Sequence, residues 1–241
     1  MPRKAVIVAA GLSSRLYPLT AETPKALLPI GDETLLGRSI RLLREAGISH
    51  IAVVVGFRAD SIRDAVDTGI AIIPNPYFRH CNNMGSLLFA RDFAGEDSFV
   101  YLHGDLAYTG GTLKAFLDAA GDPGRSCLDL LTAFGEVDEE AMKVRVGDDN
   151  ALVESSKSVP DAYAAGEWTG IAVVQKPRVV FDEIEAHMMH IGLSDYDTAA
   201  FTSLARAGEV IRCIPANGDP WKEIDTMEDL AAARLAFGGL R

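Results

Sequence analysis

Gly11, Ser13, Ser14 and Arg15 follow directly on the apolar run Ala5-Val6-Ile7-Val8-Ala9-Ala10, and Lys25 stands ten residues on, behind Thr23-Pro24. Gly11 lacks a Cβ, so the backbone from Ala9 and Ala10 through Leu12 can approach a ligand closely. Successive N–H groups, the hydroxyls of Ser13 and Ser14 and the cations Arg15 and Lys25 make an anion cradle. The same residues would equally serve a tight strand-to-helix turn with solvated cations. The loop matches neither GxxxxGK[ST] nor GxGxxG, so the phosphate mechanisms of those motifs do not apply.

Two carboxylates stand at comparable places. Asp105 ends Phe99-Val100-Tyr101-Leu102-His103-Gly104, and Asp225 follows Trp221-Lys222-Glu223-Ile224. Asp105 alone reads equally as a turn or capping residue. Asp225-Thr226 with Glu228 and Asp229 is also a good helix start, with Asp225 or Thr226 as N-cap. A third polar group, Asn82-Asn83-Met84-Gly85-Ser86, offers Asn83 as a helix cap and leaves Asn82 and Ser86 to read a base or an acceptor.

The elements that must position these residues follow from periodicity. Ala5 to Ala10, Ile51 to Val55, Ile70 to Ile73 and Phe99 to Leu102 are short apolar runs that read as strands of a parallel sheet. Helical spacing of Leu35, Leu36, Ile40, Leu43 and Ala46 before Gly47 predicts a helix over 34–46, and a shorter one is expected over 60–67. Alternating strands and helices imply βαβ units with right-handed crossovers. In such a sheet ligands bind beyond the carboxyl ends of the strands. The glycine loop and Asp105 both lie at such ends, so they share one crevice if their strands are neighbours.

The middle of the chain changes character. Residues 127–134, 143–146, 151–155 and 169–174 read as strands, with Gly147-Asp148-Asp149-Asn150 as a hairpin turn. Helices return near 178–188 and 195–207, then a strand over 210–214 and an Ala- and Leu-rich helix after Asp225. The expectation is one mixed α/β domain with an inserted or appended antiparallel portion.

Composition bounds the function. The 241 residues carry a net charge of −11 with 48% hydrophobic residues, an ordinary globular balance. The acidity argues against nucleic acid as a partner. Residues 1–25 nonetheless hold Arg3, Lys4, Arg15 and Lys25 against Glu22, a net of +3 that leaves −14 for the remainder. Cys81, Cys127 and Cys213 are an odd, widely spaced set with no CxxC pair, as expected of a reduced cytoplasmic protein. No run approaches the ~20 apolar residues of a membrane span, so no membrane is expected as a partner.

The run AAGLSSRLYPLTAETPKALLPIGDETLL, about 30 residues in order, resembles the signature of the sugar-nucleotide and cytidylyl nucleotidyltransferases. Ser13 stands where that family often has a second glycine. The resemblance implies a Rossmann-like three-layer α/β fold with a mixed, mainly parallel sheet of the nucleotide-diphospho-sugar transferase type. It implies a single nucleotidyltransferase domain over 1–241, with about 1–110 binding the nucleotide and the rest the acceptor. It further implies that the loop holds a nucleoside triphosphate, that Arg15 and Lys25 contact phosphates, and that Asp105 and Asp225 bind Mg²⁺, with Glu223 a weaker neighbour.

Asn82-Asn83-Met84-Gly85-Ser86 and Gly166-Glu167-Trp168-Thr169-Gly170-Ile171 resemble segments of bacterial phosphocholine and phosphonate cytidylyltransferases. This implies CTP as donor, and an acceptor side that includes Tyr108, Lys157, Glu167 and Tyr196. Trp168 reads as packing, and Lys157 equally as a solvated lysine. A choline cage requires several aromatics, whereas Glu140 to Val144 and Ser194 to Thr198 supply only Tyr196. A small phosphonate such as 2-aminoethyl- or 2-hydroxyethylphosphonate is therefore at least as good an acceptor as phosphocholine. Asp195 and Asp197 could pair with an amino group or simply begin a helix. A homodimer is compatible with the sequence.

Rival readings are a sugar-1-phosphate nucleotidyltransferase using UTP, dTTP or GTP, and a nucleotide-binding regulatory module without turnover. A metal-dependent glycosyltransferase usually needs DxD, where residues 103–105 read His-Gly-Asp. A dinucleotide dehydrogenase lacks its glycine fingerprint here.

Overall fold

The computed structural model describes residues 1–121, 124–218 and 220–239. The chain opens with β1 (Lys4–Ala9), a loop with two 3-10 turns, and a small hairpin of β2 (Pro29–Ile30) and β3 (Glu33–Thr34). Then come α1 (Leu35–Glu45), β4 (His50–Val55), α2 (Ala59–Ala65), β5 (Ile70–Pro74), α3 (Asn83–Leu88), α4 (Arg91–Ala94) and β6 (Phe99–His103). β7 (Leu106–Tyr108) and α5 (Gly110–Ala119) lead to β8 (Leu128–Phe134), β9 (Lys143–Val146), β10 (Leu152–Ser155) and β11 (Gly166–Val174). The chain then passes through α6 (Pro177–His190), α7 (Asp197–Arg206), β12 (Ile211–Pro215), β13 (Trp221–Glu223) and α8 (Met227–Phe237).

Among the described residues, nine strands form one sheet. β6, β1, β4 and β5 are neighbours and all parallel, and β12 pairs parallel with β8. The sequence expectation of an inserted or appended antiparallel portion needs refinement, because those strands belong to the same sheet. β11 runs antiparallel to β8 on one edge, and on the other pairs with β6 through Ile171–Val174 and with β9 through Gly166 and Glu167. One strand can serve three partners because it is interrupted: the β11–β8 register shifts between Trp168 and Ala172, a bulge that bends the strand. Gly170 sits there at φ +84°, a left-handed backbone that favours glycine.

The helices cover both faces. Apolar residues of α1 and α5 pack with alternate residues Ala5, Ile7, Val53 and Val55 of β1 and β4 in one cluster. Those of α3, α6 and α7 pack on the other face with Val6, Val8, Val54 and Tyr101. A third cluster joins Leu16, Leu28, Leu35, Ala107, Ile224, Leu230 and Phe237, pinning the first loop and the C-terminal helix to the domain. No helix among the described residues is long and apolar enough to cross a membrane.

Three elements, α5, β7 and β13, lie outside what periodicity shows. α5 begins at Gly110-Gly111, which mimics a turn, although Thr109 caps it through Oγ1 (Thr112 N–H, 3.0 Å). β7 and β13 are three residues each and pair only with one another, a contact across more than a hundred residues that carries no local signal.

Candidate active site

β1 and β6 are adjacent, so the glycine loop and Asp105 do open into one crevice. Gly104 allows the close approach, since its N–H donates to the Val8 carbonyl at 2.8 Å and a Cβ there would meet Ala9 and Val8 at 2.9 Å. Leu16, fully buried, anchors the loop that presents Arg15. Thr20 Oγ1 donates to the Ser13 carbonyl at 2.7 Å, fixing the loop at Ser13, which takes φ +54°. Lys25 begins a 3-10 turn behind Pro24.

The β7–β13 ladder joins the middle of the chain to a segment more than a hundred residues on. It pairs Glu223 with Leu106, and the Ile224 N–H donates to the Asp105 carbonyl at 3.0 Å, which sets Asp225 opposite Asp105. The helix that follows caps itself: Thr226 Oγ1 accepts from Asp229 N–H at 3.1 Å, and Asp229 Oδ2 accepts from the N–H groups of Thr226 and Asp225. The cap is thus Thr226, and the Asp225 carboxylate is left for the cleft.

Lys25 Nζ lies 2.7 Å from Asp105 Oδ2 and 2.8 Å from Asp225 Oδ1, and Arg15 reaches Asp225 Oδ2 at 2.9 Å. Burial opposes the charge on Lys25, but Asp105 and Asp225 more than offset it and hold the ammonium well above its ordinary range. Burial likewise opposes the Asp105 charge, and Lys25 and His103 keep its carboxyl below the usual value. At Glu223 the balance tips the other way: burial, then Asp105 and Asp225, outweigh the pull of His103 and Lys25 and push it up to about 7. Asp105 Oδ1 is buried with no hydrogen-bond partner. Ligand atoms of His103, Asp105 and Glu223 lie within 4.8 Å of one another. Of these, the carboxylates of Asp105 and Glu223 are hard oxygen donors and, with Asp105 Oδ1 unpartnered, fit an ion such as Mg²⁺, whereas the His103 nitrogen does not.

A cleft of about 240 Å³ collects most of the sequence-derived nucleotide residues: Ala9, Ala10, Gly11, Ser13, Ser14, Arg15, Lys25, Asn82, Asn83 and Asp105. Leu12 and Ser86 do not line it. Leu12 is exposed, and Ser86 is buried with its hydroxyl accepting from Asn75 Nδ2 at 3.0 Å, a packing role. Asn82, rather than Asn83, is the N-cap of α3 (Oδ1 to Asn83 N–H, 3.1 Å), and Asn83 turns its amide toward the cleft wall, 3.2 Å from His103 Nε2.

The acceptor-side residues divide. Lys157 and Tyr196 line an adjoining hollow with Glu140, Met142, Trp168 and Gly170. Glu140 Oε2 accepts from Lys157 Nζ at 2.9 Å, and that ammonium lies 5.8 Å from the Tyr196 ring centroid. Glu167 lies on an acidic flank with Asp138 and Glu223, and burial and then Asp138 raise its carboxyl. Tyr108 is fully buried in the core and lines none of these hollows. Its place in the acceptor site is corrected: β7 turns it inward against the sheet. Asp195 and Asp197 are not free to meet an amino group, since Asp195 pairs with His187 at 2.8 Å and Asp197 is buried between Tyr101 and His103.

That last network escaped the sequence reading. Tyr101 O–H donates to Asp197 Oδ2 at 2.6 Å, and His103 Nε2 lies 2.9 Å from the same oxygen. Burial opposes the imidazolium, yet Asp197, Asp105 and Glu223 raise His103 to about 9, so its Nε2–H donates. Trp168 packs edge-on against His103, centroids 4.9 Å apart. The available signal was the two-residue strand period, which puts Tyr101, His103 and Asp105 on one face.

The chain is 25% identical, over 98% of its length and 39% of the relative's, to the CMP-5'-(3-aminopropyl)phosphonate synthase of Streptomyces rubellomurinus. It is 35% identical, over 42% of this chain and 30% of the relative, to the glucose-1-phosphate thymidylyltransferase of Streptomyces griseus. The chain spans about half or less of the first curated relatives it matches. The solved structure of the CTP:phosphocholine cytidylyltransferase of Streptococcus pneumoniae superposes with a TM-score of 0.77 at 20% identity, covering 98% of this chain and 99% of its own. The fold is thus that of the nucleotidyltransferases, a mixed α/β arrangement around a mostly parallel sheet. Residues 5–137, more than half of the sequence, match the MobA-like NTP transferase domain, and the chain belongs to that family.

Proposed function

We propose that the protein is a Mg²⁺-dependent cytidylyltransferase that moves CMP from CTP to a small phosphonate or phosphorylated alcohol and releases pyrophosphate. The observation that carries catalysis, as against passive nucleotide binding, is the convergence of Asp105 and Asp225 from distant parts of the chain onto Lys25 Nζ, at 2.7 and 2.8 Å. A regulatory module has no need to bury two carboxylates beside a phosphate loop. CTP is supported by the relative that aligns over 98% of the chain and is named for a CMP-phosphonate product, whereas the thymidylyl relative aligns over 42%.

An acceptor oxygen attacks the α-phosphorus in line, the new P–O bond forming as the bond to the β-phosphate oxygen breaks, and pyrophosphate leaves with that electron pair. The acceptor oxygen is already ionised at neutral pH, so the protein needs no general base and its main task is alignment. The loop N–H groups of residues 10–14, with Arg15 and Lys25, bind the triphosphate and neutralise charge on the departing pyrophosphate. Asp105 and Asp225 would hold Mg²⁺, which supplies further neutralisation of the triphosphate when bound. Lys157 would receive the acceptor's anion, a role supported by its side chain being 36% exposed beside Tyr196. Two aromatics line that hollow, Tyr196 and a Trp168 buried against His103 and Phe201, fewer than a choline cage asks for, which supports an aminoalkyl- or hydroxyalkylphosphonate over choline.

The test is a panel of nucleoside triphosphates with Mg²⁺ and phosphocholine, aminoalkylphosphonates or sugar 1-phosphates, read by pyrophosphate release. Turnover with CTP and a phosphonate or phosphocholine is expected. Turnover confined to UTP, dTTP or GTP with a sugar 1-phosphate would replace this reading by the sugar-nucleotide one.

A further inference from the structure

Every charge proposed for catalysis is already paired inside the protein. Lys25 Nζ stands between Asp105 Oδ2 and Asp225 Oδ1, the two groups proposed as metal ligands, and Arg15 takes the other oxygen of Asp225. Of the four side chains, Lys25 is the least exposed, at 12%, so its ammonium has little water to fall back on. A divalent cation placed between the same pair of oxygens would be repelled by the ammonium already there, twice as strongly as a second monovalent cation would be.

We infer that Lys25 is an internal counter-cation: it occupies the space between Asp105 and Asp225 in the free protein and excludes a divalent ion from them until a triphosphate draws it away. This rests on the nucleotidyltransferase reading and adds a coupling to it. The triphosphate gives Lys25 and Arg15 new anionic partners, and their departure leaves both carboxylates without counter-charge, which a divalent ion then supplies. By linkage the effect is reciprocal, so the ion also strengthens nucleotide binding. Neither ligand alone meets a free site: the phosphate cations are held by carboxylates and the carboxylates by cations. The unpartnered Asp105 Oδ1 shows that Lys25 satisfies only part of the carboxylate, so the exchange starts from an incompletely paired group.

The experiment is titration of Mn²⁺ into the full-length, nucleotide-free protein, followed by electron paramagnetic resonance, for wild type and Lys25→Met. The account expects the neutral variant to bind Mn²⁺ at least about tenfold tighter than wild type, a modest share of the repulsion removed. Equal or weaker binding by a variant whose circular dichroism matches wild type would overturn it. If Lys25→Met does not fold, Lys25→Gln is measured in the same way. If neither folds, the wild type decides: Mn²⁺ binding tighter than about 10 μM without nucleotide contradicts an occupied site, and weaker binding supports it. Pyrophosphate release by wild type is recorded separately. Turnover without the Mn²⁺ difference removes this inference alone, whereas absence of turnover with every triphosphate removes the enzymatic reading.

Discussion

The two walls of the cleft are built on different physics. On one side, parallel strands β1 and β6 end in a loop and an aspartate whose charges are half-buried and paired with one another and with Asp225: Lys25, Asp105 and Asp225 have side chains 12%, 22% and 26% exposed. On the other, antiparallel β8 to β11 present long side chains from surface loops, and the pair that closes the hollow is Lys157 with Glu140, the latter 76% exposed. Buried pairs hold strong and geometrically fixed interactions, while exposed ones are screened and contribute little to stability. The first wall therefore suits an invariant step on a triphosphate, and the second an acceptor whose identity changes with few substitutions.

Substitutions on the two walls should differ accordingly, and the largest contrast comes from Asp105. Asp105→Asn is expected to lower kcat for pyrophosphate release by about a thousandfold or more, in a steady-state assay with saturating CTP. A residual rate within tenfold of wild type would remove Asp105 from catalysis. The junction of the walls should show in pH dependence. His103 is raised to about 9 from 6.5 and Glu223 to about 7 from 4.5. For both, the native state binds protons more tightly than the unfolded chain, so their contribution is complete at low pH and is lost as pH rises through the folded values. Metal-free protein should lose about 5 °C or more in Tm between pH 6 and 9.5, and His103→Asn should flatten that slope in thermal melts in EDTA.

Gly170 belongs to both walls, since a Cβ there would stand 3.0 Å from His103 Nδ1 and the residue holds φ +84°. Gly170→Ala should cost about 2 kcal/mol in urea unfolding. Lys157→Ala should raise KM for the acceptor about tenfold, the value of a charge-assisted hydrogen bond, with KM for CTP unchanged; a shift in the CTP value instead would move Lys157 to the donor wall. Smallest is Ser86→Ala, expected to cost about 1 kcal/mol of stability through the lost Asn75 contact and to leave both KM values as they are.

Legibility in the sequence followed the same division. β1, β4, β5 and β6 were readable because strands buried on both faces are continuous apolar runs, and Arg15 and Asp105 could be set at one crevice because each follows such a run, whereas Lys25 stands ten residues beyond Arg15 on a turn stiffened by Pro24. Asp225 was readable by resemblance, but what brings it to Asp105 is a ladder of three-residue strands, too short to have a period. The second wall was harder. Tyr108 entered the acceptor side only through the resemblance, and β7 turns it inward to the core. Ser86 reads as a polar reader of ligands, but burial commits its hydroxyl to Asn75. The Tyr101, His103 and Asp197 network joins positions nearly a hundred residues apart, and neither the spacing nor the type of Asp197 distinguishes a buried hub from a surface helix start.

The central claim concerns which bond is broken and by what. Supplying CTP labelled at the α-phosphorus together with 2-aminoethylphosphonate, 2-hydroxyethylphosphonate or phosphocholine, and separating the products, tests it directly. The account expects the label in a CMP conjugate of one of these acceptors and pyrophosphate unlabelled in equal amount. Label recovered only as free CMP or unreacted CTP, with transfer instead from UTP, dTTP or GTP to a sugar 1-phosphate, would contradict it.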